Sequence, residues 1–144
     1  MTPKMTAPEV ERFLAAEFPQ IDGRFELREI GPGRALVRMP VGQGDLRPGG
    51  TVSGPSMFAL ADVAYYIVTL AMIGPEALTV TTNCNINFMR KPQPTALVAE
   101  ARILKLGRSL SVGDVSLRNE DQTDLVAHAQ MTYSIPPKRA AQVG

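Results

Sequence analysis

The strongest constraint on the fold is the run of residues 53–73, which is apolar almost all the way round a helix. Ser53 can cap such a helix, Pro55 suits its first turn, and Gly74 can end it. A helix without a polar face must be buried on all sides. A membrane span is the alternative, because the run is near the minimum length. Asp62 interrupts the run and strand patterns follow it, so we expect a buried helix and no membrane contact.

The remaining segments alternate as β-strands do. A short helix with a Thr6–Glu9 capping box comes first. Two strands before the long helix and four after it are predicted, at residues 24–30, 35–39, 78–90, 96–106, 110–118 and 125–135. The short connections between the later strands indicate antiparallel pairing. We therefore predict one α+β domain over residues 1–144, with an ordered core of about 8–135 and a frayed end after Pro136. Its sheet wraps around the helix, and a second copy of the chain could cover the remaining helix face.

The third of these strands, residues 78–90, alternates strictly. The pattern predicts one face with Val80, Thr82, Cys84, Ile86 and Phe88, and the other with Thr79, Thr81, Asn83, Asn85 and Asn87. The asparagine row could line a pocket or a dimer seam, or it could be solvated. Asn83 is kept as a candidate substrate contact.

Composition excludes several classes of site. With 15 Lys and Arg against 14 Asp and Glu, the net charge of +1 provides no basic excess for nucleic acid. A single cysteine and a single histidine exclude a disulfide framework, a cysteine zinc cluster and any two-imidazole site. The first residues lack the pattern of a secretion signal, so we expect a reducing cytoplasm.

Asp62 is the strongest candidate for chemistry. A carboxylate inside a buried helix is costly unless it is paired or solvated, and no Lys or Arg lies within a helical turn of it in sequence. Tyr66 and Thr69 fall on the same stripe of the helix as Asp62. Polar groups thus collect on one face, which could line a binding site. An aspartate retained only for packing is the alternative.

The start of the same helix is the second candidate. Gly54 leaves a bare N–H at the positive end of the helix dipole, where it can stabilise an oxyanion, although an ordinary cap would look the same. Gly54 and Asp62 are eight residues apart, which is about 12 Å along the helix axis. They cannot reach one carbonyl group within a single chain. If they cooperate, Gly54 of one subunit meets Asp62 of another, and the chain forms at least a dimer.

These residues resemble a known family. Residues 50–62 (GTVSGPSMFALAD) are similar to the helix start of hotdog-fold acyl-CoA thioesterases, and residues 83–92 (NCNINFMRKP) to the strand that follows it. The closest branch is the phenylacetate-pathway (PaaI-type) branch of the 4-hydroxybenzoyl-CoA thioesterase superfamily. The Gly107-Arg108 turn and the last strands fit its closing meander.

The resemblance implies a hotdog fold, in which a curved antiparallel sheet wraps around one long central helix. It implies homodimers or homotetramers with active sites at subunit interfaces, which hydrolyse an acyl-CoA to free acid and CoA. It assigns Asp62 as the general base or nucleophile and the Gly54 amide as the oxyanion hole. It implies no metal and no redox cofactor, since the CoA thioester is the substrate. Aromatic, short-chain and medium-chain acyl groups all remain open.

The chain departs from the family pattern at the helix start. The family usually has a histidine and two glycines where this chain has Ser53, Gly54 and Pro55, and an Asn or Gln where it has Arg47. Ser53 can donate a hydrogen bond but cannot act as an imidazole, and Arg47 could meet a carboxylate or a phosphate or lie on the surface. The missing histidine bears on two alternative functions. A non-catalytic acyl-CoA-binding dimer fits its loss, whereas a hydratase or dehydratase would need it.

Further candidates are less specific. Three cations could pair with CoA phosphates or simply be solvated, namely Arg90, Lys91 and Arg108. His128 is expected to be a packing or surface residue, and Cys84 an inert core thiol.

Overall fold

The computed structural model describes residues 1–137. Its helices are α1 (Ala7–Glu17) and α2 (Gly54–Ile73), and its strands are β1 (Glu26–Gly31), β2 (Arg34–Met39), β3 (Val80–Phe88), β4 (Leu97–Leu106), β5 (Leu110–Asn119) and β6 (Leu125–Ser134). Short 3₁₀ turns occupy Pro19–Ile21 and Gln43–Asp45. This order is the predicted one. The end predicted to fray begins after Pro136, and its residues 138–144 lie outside the described part of the chain.

The strands form one six-stranded sheet in the order β1-β2-β4-β5-β6-β3, and every neighbouring pair is antiparallel. Helix α2 packs against β2, β3, β4, β5 and β6, so the curved sheet wraps around it. The predicted α+β arrangement is confirmed. Among the described helices, α2 is long and apolar enough to cross a membrane, but 78% of its most apolar window is buried by the rest of the protein. This burial is typical of a core helix.

The residues predicted to cap the two helices do so. Thr6 and Glu9 form the capping box of α1. The Ser53 side chain accepts the Ser56 N–H at the start of α2, and Gly74 ends the helix with a φ of 103°. The local sequence therefore sets both ends of the central helix.

Strand β3 departs from the predicted alternation. Its pairing with β6 shifts register between Thr81 and Asn83, which is the signature of a β-bulge. Thr81 therefore points inward with Cys84 and Ile86, whereas Val80 and Asn83 are exposed. The prediction that Thr81 shares the face of the asparagines is wrong. So is the prediction that Val80 and Thr82 lie on the same face as Cys84 and Ile86, because the inserted residue exchanges the two faces.

Gly113 on β5 makes room for a buried tyrosine of α2. A Cβ added at Gly113 would overlap the Arg102 carbonyl oxygen and lie 2.7 Å from the Tyr65 hydroxyl. That hydroxyl is 2.9 Å from the Ser111 hydroxyl. Burial raises the pKa of Tyr65 to about 12, so its phenol remains neutral at ordinary pH. The close approach of helix and strand thus depends on a residue without a side chain.

A buried carboxylate holds the loop that leads into α2. Asp45 is 4% exposed. One of its carboxylate oxygens accepts the Gly42 N–H at 2.9 Å. The other accepts the Ser56 hydroxyl at 2.9 Å and pairs with Arg24 at 2.8 Å. Burial by itself would raise the pKa of Asp45, but these donors together hold it below its usual range.

We expect Gly113→Ala to lower the free energy of unfolding by about 3 kcal/mol, because the new methyl group overlaps backbone and displaces Tyr65. Urea denaturation measures this change. Gly42→Ala is the control, because a Cβ there has no neighbour within 4 Å and φ is −117°. Equal effects of the two substitutions would contradict the steric explanation.

We expect Asp45→Asn to lower the free energy of unfolding at pH 7 by about 2 kcal/mol, since it removes charged hydrogen bonds. A lowered pKa in the folded state stabilises the protein above the ordinary value of 3.8, and this stabilisation is lost as the pH falls through the folded-state value. The stability difference between wild type and variant should therefore shrink below about pH 4.

Chemical denaturation at a series of pH values measures the difference in free energy of unfolding between wild type and Asp45→Asn. The exposed Asp121, changed to Asn, is the control and should show little effect at any pH. The same stability difference at pH 7 and pH 3 would contradict the conclusion that the ionised Asp45 stabilises the fold.

Candidate active site

Asp62 lies in a cleft of about 490 Å³ between α2, the start of β3 and the end of β6. The Thr81 hydroxyl donates a hydrogen bond of 2.6 Å to its Oδ1. The Tyr133 hydroxyl lies 2.7 Å from the same oxygen and 2.9 Å from the Asp62 carbonyl oxygen. The carboxylate is partly exposed, so it is both hydrogen-bonded and partly solvated, which are the two ways of lowering the cost of a charge on this helix. Both hydroxyls use Oδ1, and within residues 1–137 no donor is hydrogen-bonded to Oδ2.

Tyr133 is a rigid donor to this carboxylate. Its side chain is buried, and its ring packs 5.6 Å from that of Tyr65 and 6.0 Å from that of Tyr66. Burial, with Asp62 nearby, raises the pKa of Tyr133 well above its usual value, so the phenol keeps its proton. Sequence reasoning missed both donors to Asp62. Thr81 was hidden by the bulge, and Tyr133 lies more than seventy positions away in sequence.

Tyr66 and Phe18 form another wall of the Asp62 cleft. Their rings meet edge-on, with centroids 6.0 Å apart, and the Tyr66 hydroxyl donates to the Ala77 carbonyl at 3.0 Å. Burial raises the pKa of Tyr66, and the Glu17 carboxylate adds to the effect. The structure thus brings Tyr66 into the cleft with Asp62.

Thr69 does not enter the cleft. It is fully buried, and its hydroxyl donates to the Ser111 hydroxyl at 3.1 Å. It lies on the same stripe of α2 as Asp62 but two turns further along. Successive turns of the helix are covered by different strands, β3 and β6 at Asp62 and β5 at Thr69. The prediction that Thr69 lines a site with Asp62 is therefore corrected.

The N-terminus of α2 presents one free backbone donor. The Ser56 N–H donates to the Ser53 hydroxyl at 3.3 Å, and the Met57 N–H to the Ser53 carbonyl at 3.1 Å. Pro55 has no N–H. Within residues 1–137, the Gly54 N–H donates to no protein acceptor. The helix start therefore keeps the donor that the sequence indicated.

Gly54 lies in a second cleft, of about 360 Å³, near three cations. Arg47, Arg90 and Lys91 line this cleft together with Phe88. A Cβ on Gly54 would lie 3.4 Å from the Phe88 ring, which is ordinary van der Waals contact, so an alanine would fit there. Three predicted substrate contacts are thus brought together around the free amide.

Two other predicted contacts lie elsewhere. Arg108 is exposed in the turn between β4 and β5, and Asn83 is exposed on β3. Neither is among the residues that line the two clefts. Asp62 and Gly54 themselves lie in different clefts of the chain, as their spacing along α2 requires.

His128 and Cys84 lie outside both clefts. The His128 Nε2 is 3.0 Å from an Asp114 carboxylate oxygen. Cys84 is half-buried, and burial, with Asp62 nearby, raises its thiol pKa. Among the described residues, no group of three or more His, Cys, Asp or Glu side chains could hold a metal ion.

Comparison with known proteins places this architecture. The family model of the thioesterase superfamily matches residues 49–126. The chain is similar to a candidate thioesterase from Silicibacter sp. TM1040, with 49% identity, coverage of 95% of this chain and 96% of that one, and a TM-score of 0.88. No curated protein matches the chain.

Two further solved structures relate the chain to phenylacetic acid degradation proteins. One is a candidate thioesterase of that kind from Ralstonia eutropha JMP134, with 25% identity, coverage of 88% and 98%, and a TM-score of 0.77. The other is a mutant of PaaI from Thermus thermophilus, with 25% identity, coverage of 82% and 99%, and a TM-score of 0.71. The matched segment includes both Gly54 and Asp62. The sheet wrapped around α2 is the hotdog fold, and the chain belongs to the thioesterase superfamily.

Proposed function

We propose that this chain is an acyl-CoA thioesterase that hydrolyses an acyl-CoA to free acid and CoA. The observation that carries the proposal is the Asp62 carboxylate. Two hydroxyls hold one of its oxygens, the other oxygen accepts no hydrogen bond from the described residues, and the group lies in an open cleft. Membership of the thioesterase superfamily supports the same class of reaction.

Asp62 acts on the water that attacks the thioester carbon. Its Oδ2 takes a proton from this water, the new C–O bond forms, and the tetrahedral intermediate expels the CoA thiolate, which is then protonated. Thr81 and Tyr133 fix the carboxylate by its Oδ1 throughout. Direct attack by the carboxylate on the thioester carbon is the other mechanism that this geometry allows.

The oxyanion is stabilised by the Gly54 N–H of a second copy of the chain. Gly54 and Asp62 occupy different clefts, and about 12 Å of helix separates them. Strand β3 lies at one edge of the sheet, with Val80 (54%) and Phe88 (51%) exposed on it. An open strand edge with exposed apolar side chains favours pairing with another copy. A homodimer, or a homotetramer built from it, then completes each site.

The CoA phosphates bind beside the oxyanion donor. Arg47, Arg90 and Lys91 line the cleft that holds Gly54, and guanidinium and ammonium groups bind phosphate oxygens through charge-assisted hydrogen bonds. The nucleotide end of the substrate thus lies against one protomer and its acyl group against the other.

A non-catalytic acyl-CoA-binding dimer is the second candidate. It is favoured by Ser53, whose hydroxyl accepts the Ser56 N–H as a helix cap and offers no imidazole. This alternative predicts binding of acyl-CoA by calorimetry without thiol release from any ester.

We expect Asp62→Asn to lower kcat by about 10²- to 10⁴-fold, because the amide cannot accept the proton from water. Thiol release from a panel of aromatic and aliphatic acyl-CoAs measures the change, with circular dichroism to confirm folding. The exposed Asp121→Asn is the matched control and should keep full activity. Activity of Asp62→Asn equal to wild type would eliminate this mechanism, and a folded wild type that binds acyl-CoA without releasing thiol would favour the binding protein.

We expect Gly54→Pro, which removes the N–H, to be inactive, whereas Gly54→Ala, which keeps the N–H and adds the same Cβ, should retain more activity. Co-expression of Gly54→Pro and Asp62→Asn chains tests the shared site. An equal mixture should recover about a quarter of wild-type activity, because half of the dimers are mixed and each has one intact site. No recovery in purified mixed dimers would show that each site belongs to a single chain.

A further inference from the structure

We propose that Phe18 determines acyl-chain length by closing the end of the Asp62 cleft that borders α1, and that the acyl group taken there is short and uncharged. The inference rests on the proposed function, since it identifies the substrate class of the same site. It depends on a second cavity, on the position of Phe18 and on the charges around Asp62.

Phe18 separates two spaces on the surface of α2. It follows the last residue of α1 and lines both the Asp62 cleft and a neighbouring cavity of about 110 Å³. Its ring stands at 81° to that of Tyr66, with centroids 6.0 Å apart. An acyl chain that starts at Asp62 and passes Tyr66 therefore meets the Phe18 ring.

The cavity beside Phe18 offers apolar surface to a hydrocarbon chain. Its lining includes Leu14 on α1, Phe25, Leu27 on β1 and Ile67 on α2. The exposed Glu11 and Asp22 also line it, so the cavity opens to solvent on that side. Ile67 is 1% exposed and directly follows Tyr66 in the chain. The volume of about 110 Å³ is below the roughly 150 Å³ that accommodates benzene, so by proportion it holds about four aliphatic carbons. Removal of the Phe18 ring would join this space to the cleft.

The charges of the cleft exclude an anionic acyl group. Asp62 and Glu17 both line it, and no Lys, Arg or His is among its described lining residues. Glu17 also contributes to the raised pKa of Tyr66, after burial, so its field reaches the wall of the cleft. A terminal carboxylate on the acyl group would be repelled by both carboxylates. Phe18, Val63 and Tyr66 provide apolar surface instead.

The test uses thioether analogues of acyl-CoA, which cannot be hydrolysed, with acyl chains of increasing length. Calorimetry should show that wild-type affinity rises with chain length up to a break and then stops rising. In Phe18→Ala the affinity should keep rising beyond that length, by about fourfold for each of about three further methylenes. Phe18→Leu, which retains apolar packing, should shift the break by less. A dicarboxylic analogue should bind wild type more weakly than an uncharged one of equal length.

Leu27→Ala is the matched control, because Leu27 lines the neighbouring cavity but not the Asp62 cleft. Leu27→Ala alone should leave the chain length at which affinity stops rising unchanged. Combined with Phe18→Ala, it should extend the rise in affinity to longer chains. The same break in Phe18→Ala and wild type, an equal shift in Leu27→Ala alone, or no binding at any length would overturn the proposal. Thiol release from the matching thioesters is followed separately. A shifted break without hydrolysis would contradict the proposed reaction and leave the chain-length role of Phe18 standing.

Discussion

Helix α2 has no polar face, and its burial requires a sheet that curves around it. Five of the six strands contact this helix, and the residues that face it, such as Val37, Ala99 and Met131, are fully buried. The sheet covers the helix where the strands pass over it and leaves it accessible near the ends of β3 and β6. Asp62 lies at that point, so its charge stays partly solvated while the helix residues that follow it, 63–72, are all buried. The same packing requirement therefore builds the core and places the carboxylate at its boundary.

Two acidic side chains, Asp45 and Asp62, use their carboxylate oxygens in different ways. Asp45 uses both carboxylate oxygens, one for the Gly42 N–H and the other for Ser56 and Arg24. All of its partners serve to anchor the loop before α2. Asp62 uses only Oδ1 for the hydroxyls of Thr81 and Tyr133. These two donors fix its orientation, and no other donor in residues 1–137 is bonded to Oδ2, which suits the proposed role of general base.

The sequence was sufficient for features that depend on local patterns. The ends of α2, the capping box of α1, the strand order along the chain and the prominence of Asp62 could all be read from neighbouring residues. The partners of Asp62 could not, because Tyr133 reaches it from β6 and Thr81 reaches it only through the register shift in β3. Alternation in one strand contains no information about a bulge that its partner strand imposes. The Asp45 network was missed for the same reason, since Arg24 and Ser56 are brought to it by the fold.

The start of α2 is held in place without the histidine that the family usually has there. An imidazole at the helix start would orient the loop or the substrate, but here the Asp45 carboxylate anchors the loop and Ser53 caps the helix. The free Gly54 amide depends only on the backbone and on Pro55, which removes a competing donor from the first turn. The Gly54 N–H and the Asp62 carboxylate of one chain cannot meet, because both lie along the axis of one rigid helix. The proposed mechanism therefore needs a second chain to assemble the two groups around one carbonyl, and the open edge of β3 is where the sheet can receive it.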